Sequence, residues 1–180
     1  MKYVCVFCGS KKGGAAIYAE NARRFGQAVA AHGLGLVYGG GHVGLMGVLA
    51  DAVLQGGGPV IGVIPRSMVE SELAHEQLTE LHVVETMHQR KALMAERAFA
   101  FAALPGSVGT ADEFFEIVTW RQLRLHHKPI GLLNIAGFFD PLLAWLNHTV
   151  EEGFLRREYL GLIHVADKAE RLLDLLDNPL

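Results

Sequence analysis

Short, unbroken runs of apolar residues recur along this chain, most of them closed by a glycine- or proline-bearing turn and followed by a stretch of helical periodicity. Strands that are continuously apolar, rather than alternating, are buried on both faces. That is the condition of a parallel sheet covered by helices on each side. The pattern predicts strands at residues 3–7, 34–38, 60–64, 81–84, 99–103, 130–133 and 163–165. It predicts helices at 16–32, 45–54, 88–98, 112–125, 141–152 and 169–176. Ile17, Phe25 and Val29 recur at helical spacing in the first, and Asp140 before Pro141 reads as a cap followed by a first-turn proline. Such alternation predicts an α/β fold, a doubly wound parallel sheet of about seven strands flanked by helices. No repeat or linker divides the chain, so residues 1–180 are expected to form a single domain.

Composition excludes several classes. Lys and Arg total 16 against 19 Asp and Glu, a net charge of −3, so the basic surplus that nucleic acid requires is missing. No apolar run reaches the roughly 20 residues of a membrane span. The opening MKYVCVFCGS is too short for a secretion signal and reads as a first strand, so the protein is expected in the cytoplasm with Cys5 and Cys8 reduced. These cysteines form a C-x-x-C. Positions three apart on a strand point to opposite faces, so the thiols are expected not to converge on a metal or a disulfide.

Doubly wound sheets bind ligands beyond the carboxyl ends of their strands. Four turns lie there: residues 8–14, 39–44, 65–71 and 105–110. Gly39-x-Gly41-x-x-Gly44 follows a strand and opens a helix, the context of a dinucleotide fingerprint. The acid that should cap the next strand is absent; that strand ends in Pro65-Arg66, which leaves an NADP reading through Arg66 or a tight turn within a mononucleotide site. The turn from Pro105 to Thr110 is the stronger signal. Its glycines let backbone N–H groups approach an anion at the positive end of a long helix. Thr110 and Glu113 also read as a T-x-x-E capping box, a role compatible with catalysis. In His88-Gln89-Arg90-Lys91 two cations open a helix against its dipole, which points either to a bound anion or carboxylate or to a solvated surface pair. Residues 65–79 form the longest piece without a pattern, and such loops are often functional.

The runs CVFCGS, LGLVYGGGHVGLMG, VIGVIPRSMVESELAH, MHQRK, LPGSVGTADEFFE and HHKPIGLLN resemble the LOG (Lonely Guy) family, from Val4 to about Tyr159. These are cytokinin riboside 5′-monophosphate phosphoribohydrolases, formerly labelled lysine decarboxylases. The resemblance implies a Rossmann-like homodimer without a cofactor. It implies hydrolysis of the N-glycosidic bond of AMP or an N6-modified, cytokinin-type adenine nucleotide to free base and ribose 5-phosphate. It implies catalytic roles for Arg90 and Glu113 and substrate contacts at Glu72, Lys91, Gly106, Ser107, Val108, Gly109, Thr110 and Thr119. One departure stands out: the second glycine of the family's loop is Ser107 here.

The chemistry of the residues agrees. Glycosidic cleavage develops oxocarbenium-like charge, which a carboxylate such as Glu113 stabilises. Arg90 cannot give up a proton, so it orients Glu113 or clamps a substrate oxygen. Asp112, Glu72 and His88 remain open as proton donors to the leaving base. A decarboxylase would need a pyridoxal cofactor and a far larger cofactor domain. Two further readings stand beside the hydrolase: a non-catalytic nucleotide-binding or sensing protein, supported by Ser107, and an NADP-dependent oxidoreductase through Gly39–Gly44.

Overall fold

The computed structural model describes residues 1–69 and 73–177. Seven strands form one parallel sheet in the order β4-β3-β2-β1-β5-β6-β7. They are β1 (Tyr3–Phe7), β2 (Gly35–Tyr38), β3 (Val60–Pro65), β4 (Glu80–Val84), β5 (Ala100–Ala103), β6 (Ile130–Leu133) and β7 (Ile163–Ala166). The helices are α1 (Ala16–Ala31), α2 (Gly44–Gln55), α3 (Met87–Arg97), α4 (Val108–Gln122), α5 (Asp140–Glu151) and α6 (Ala169–Asp177). The predicted alternation is therefore the observed one, and the sheet is doubly wound.

Two apolar cores lie on opposite faces of the sheet. On one, Phe25 and Val29 of α1, Leu49 and Val53 of α2 and Leu172 of α6 pack on Val4, Val6 and Leu36. On the other, Met94 of α3 with Phe114 and Ile117 of α4 pack on Cys5, Phe7 and Phe101. The period of two in β1 sends Cys5 to one core while Cys8, just past the strand, joins the other, so the C-x-x-C is not a pair; both thiols are free. β4 sits at the edge, and Leu81 and Val83 there remain exposed.

The winding reverses at β1, which pairs with β2 on one side and β5 on the other. The loops after β1 and β5 therefore flank the crevice where such sheets bind ligands. They are joined directly, with the Gly9 N–H donating to the Pro105 carbonyl at 3.0 Å.

Two predicted helix starts are corrected. α4 begins at Val108, not near 112, because the Ala111 N–H already bonds the Ser107 carbonyl at 3.0 Å. Asp140 is no cap: it lies inside α5, whose N-cap residue is Phe139. Asn134 organises that corner instead, its Oδ1 accepting from the Phe139 N–H and its Nδ2 donating to Asp140, both at 2.7 Å.

Burial, reinforced by the Glu113 charge, pushes the Cys5 and Cys8 thiols well above their ordinary range. Neither is expected to react with a water-soluble aromatic disulfide at pH 8 in the native protein, and both should react in denaturant. Rapid labelling of either thiol in the folded state would refute this placement.

Candidate active site

The turn that opens α4 is built around Gly106. A Cβ there would lie 2.0 Å from the Thr110 hydroxyl and 2.9 Å from the Gly9 nitrogen, so no other residue fits. Thr110 is buried beneath the turn, inside the first turn of α4, which is where the T-x-x-E reading fails: Ser107 holds the N-cap position and no side chain caps the helix. No side chain caps the first N–H groups of α4, and Ser107, Gly109 and Thr110 of this turn line the crevice, which suits the turn to an anion. Ser107 has φ −115°, a conformation any residue adopts, so its presence stores no backbone strain.

Arg90 is delivered by α3. Thr86 and Gln89 close a reciprocal capping box: the Gln89 N–H donates to Thr86 Oγ1 at 3.1 Å, and Gln89 Oε1 accepts from the Thr86 N–H at 3.3 Å. That fixes the helix start and turns Arg90, one residue on, inward. Arg90 is only 4% exposed, so it is no solvated surface cation. Its Nη2 donates to the Gly39 carbonyl at 3.0 Å, and Nη1 lies 3.8 Å from the sulfurs of Met68 and Met87.

Gly39 is shaped by this contact. A Cβ on it would stand 1.8 Å from Arg90 Nη2. The loop of the apparent dinucleotide fingerprint thus seats an arginine, and its last glycine, Gly44 (φ +61°), presses on the backbone of Ser10 and Lys11. Arg66, the residue an NADP reading would need, is exposed and pairs with Glu85 at 3.2 Å.

Arg90 and Glu113 line one cavity of about 190 Å³ together with Ser107, Gly109, Thr110 and Asp112. A neighbouring cavity of about 280 Å³ lies across the Gly9–Ser10 backbone and is bounded by Lys11, Lys12, Tyr18, Phe138, Gly106 and Ser107. The two share Gly9, Ser10 and Ser107. Val108 lines neither; its side chain is 82% exposed at the mouth of the turn.

Other expected site residues are placed differently. Lys91 pairs with Asp112 at 3.2 Å and Glu116 at 3.1 Å, tying α3 to α4. Partial burial would lower its pKa, but these two carboxylates outweigh that and hold the amine above its ordinary value. Thr119 lies on an outer groove between α4 and α5, beside Phe115 and Trp145, away from Arg90. Glu72 lies outside the described residues. His88 is exposed on the first turn of α3. Met46, Met68 and Met87, which line the Arg90 cavity, lie in runs that carry the family resemblance, but an apolar side chain alone gives no sequence signal of a place in a site.

Residues 46–176 match the family described as "Possible lysine decarboxylase". Within that span, Lys128 donates to the carbonyls of Ala95 (2.6 Å) and Glu96 (3.4 Å) near the end of α3. The chain is 56% identical over 155 residues to a cytokinin riboside 5′-monophosphate phosphoribohydrolase of Rhodococcoides fascians, covering 86% of this chain and 78% of that one. It is 50% identical over 170 residues to a probable enzyme of the same name from Oryza sativa subsp. japonica, covering 94% and 69%. Among solved structures, the molybdenum cofactor carrier protein of Chlamydomonas reinhardtii superimposes with a TM-score of 0.74 at 20% identity, over 98% of this chain and 96% of that one. At that identity the likeness concerns the fold.

The two glycines of opposite environment give a direct test. Gly39→Ala forces a methyl group into the Arg90 guanidinium and should cost about 1–3 kcal/mol of stability. Gly109→Ala has open space around its Cβ in the first turn of α4 and should be neutral or stabilising by up to about 1 kcal/mol. Equal stabilities of the two variants in urea unfolding would show that Arg90 is not seated on Gly39.

Proposed function

The chain belongs to the LOG family of cytokinin riboside 5′-monophosphate phosphoribohydrolases, and we propose from that premise how its site performs the reaction. The enzyme hydrolyses the N-glycosidic bond of a purine nucleoside 5′-monophosphate. Water adds at the anomeric carbon, the bond to the base nitrogen breaks, and the proton that water loses is balanced by one taken up by the leaving base. Free base and ribose 5-phosphate leave.

One observation carries the assignment of residues. A buried, fixed cation (Arg90), a partly buried carboxylate (Glu113) and the open N-terminal turn of α4 border the same cavity. In our reading the 5′-phosphate lies against the N–H groups of residues 107–110. Helix partial charge and free donors together favour an anion there. The ribose then extends toward Glu113. As the glycosidic bond breaks, positive charge grows on the anomeric carbon and ring oxygen, and the Glu113 carboxylate stabilises it. Arg90 transfers no proton; its buried guanidinium orients the acidic group or a substrate oxygen. Asp112 lines the cavity with its charge offset by Lys91, so Lys91 acts on the site through Asp112 and the α3–α4 contact. Glu72 keeps the role the family implies for it.

The nucleotide occupies the crevice of a single Rossmann-like domain that works in the cytoplasm, where the two buried thiols stay reduced. No helix among the described residues is long and apolar enough to cross a membrane. The protein works as a homodimer through the outer groove of α4 and α5. Trp145 (55% exposed) and Phe154 (88% exposed) flank that groove, and Thr119 lies within it. A partner seated there would bring Thr119 toward a neighbouring site. Sedimentation at micromolar concentration should give about twice the 19.6 kDa chain mass. A 20 kDa species alone would refute the dimer.

Glu113→Gln keeps the shape and loses the charge. Turnover of AMP and of isopentenyl-AMP should fall by about 100-fold or more, with nucleotide binding retained. Adenosine, which cannot use the α4 turn, should react far more slowly than AMP with the wild-type enzyme. Turnover of Glu113→Gln within a few-fold of wild type would remove the carboxylate from the mechanism, and equal rates for adenosine and AMP would remove the phosphate cradle.

A further inference from the structure

A cluster behind the active site is used by no step above. His42, Asp51 and His75 bring their side-chain ligand atoms within 4.8 Å of one another. Their bonding decides what the cluster does. The Gln77 N–H donates to His75 Nδ1 at 3.2 Å, so that nitrogen carries no proton. The ring proton is therefore on Nε2, which donates to Asp51 Oδ1 at 2.9 Å. A neutral ring held in this tautomer has no lone pair on Nε2 for a cation. His42 Nε2 reaches the other carboxylate oxygen at 3.3 Å, with its ring 4.1 Å from that of His75. Although partial burial raises the Asp51 pKa, the bonds from His75 and His42 outweigh it and keep the carboxyl below its usual range.

The backbone around this cluster is stitched to the loop that seats Arg90. The His75 N–H donates to the Gly40 carbonyl, and the His42 N–H to the Leu73 carbonyl, each at 2.9 Å. Gly41 and Ala74 form an antiparallel bridge between them. The His75 side chain, 1% exposed, anchors this stitch to α2 through Asp51. One residue before Gly40 is the Gly39 carbonyl that accepts from Arg90.

We propose that His75 is a positioning residue: bonded to Asp51, it clamps residues 73–75 onto the Gly39–Gly44 loop and so fixes the carbonyl that aims Arg90. The inference rests on the assignment of Arg90 to the reaction. A shift of about 1 Å in a reacting group can cost about 100-fold in rate. His75→Phe, which keeps the ring and loses the donor, should therefore lower kcat by about tenfold or more with KM within about threefold. Gln places an amide N–H near the position of Nε2, so His75→Gln should stay within about threefold of wild type. Asp51 is partly exposed, so Asp51→Ala should fold and reproduce the kcat loss; it decides the matter if His75→Phe does not fold.

The decisive measurement is a double-mutant cycle with Arg90→Lys, read as kcat for AMP. If His75 acts through Arg90, His75→Phe has little further effect in the Arg90→Lys background. Multiplying effects would mean general damage and overturn the clamp. So would wild-type turnover of both His75→Phe and Asp51→Ala beside an inactive Arg90→Lys, which leaves the assignment of Arg90 standing. Wild-type turnover of Arg90→Lys would instead overturn that assignment and this inference together. A rise in melting temperature with zinc that Asp51→Ala abolishes would make the cluster a metal site and also overturn the clamp.

Discussion

The site depends on one buried contact, the Arg90 guanidinium against the Gly39 carbonyl. A cation out of water must be paired or hydrogen-bonded, or it would destabilise the fold by several kcal/mol. That requirement propagates outward. Position 39 must lack a Cβ, and α3 must start where its Thr86–Gln89 box places the next side chain inward. Lys91, the neighbour of Arg90, then bridges to Asp112 and Glu116 and fixes α3 against α4. The same short stretch of α3 thus sets both the cation in the cavity and the position of the helix that carries Glu113.

The crevice itself is closed by backbone rather than by side chains. Gly9 bonds Pro105, the Leu45 N–H donates to the Gly9 carbonyl at 3.0 Å, and Gly44 meets the Ser10–Lys11 backbone. Three loops from three strands therefore meet almost without Cβ atoms between them. Close approach of main chains ties the loops to one another through backbone hydrogen bonds and leaves little room for them to move independently. Glycine loses more conformational entropy on folding than any other residue, and tertiary packing offsets that loss here.

The sheet was readable because its five central strands, β3, β2, β1, β5 and β6, are buried and leave continuous apolar runs. The motifs singled out Arg90 and Glu113, and the fold brings the two to one cavity. What was not readable depended on contacts between distant segments. Gly39–Gly44 had the spacing and context of a dinucleotide loop, but the atom that fills it comes from an arginine fifty-one residues away. Two adjacent cations at a helix start looked unfavourable, and only the fold shows that one is buried on a carbonyl and the other neutralised by α4. Thr110–Glu113 satisfied the letters of a capping box, yet the helix began two residues earlier and the threonine went underneath. Asp140 failed in the same way, since Asn134 already occupied the corner. Local signatures state which groups can bond; packing decides which do.

Ser107 shows the same distinction within a single turn. Its family has glycine at this position, and a left-handed residue there would cost a serine about 1–2 kcal/mol. The turn makes no such demand, because φ at Ser107 is −115°. The steric constraint falls on Gly106, whose missing Cβ admits the Thr110 hydroxyl and the Gly9 backbone. Serine at 107 is therefore held without left-handed strain and adds a hydroxyl where the two cavities of the crevice meet. In the proposed arrangement that hydroxyl adds a donor beside the 5′-phosphate, next to the backbone N–H groups that the family's glycine would also supply. The departure from the motif is thus compatible with a working enzyme, and it gives no support to a nucleotide-binding protein that has lost its chemistry.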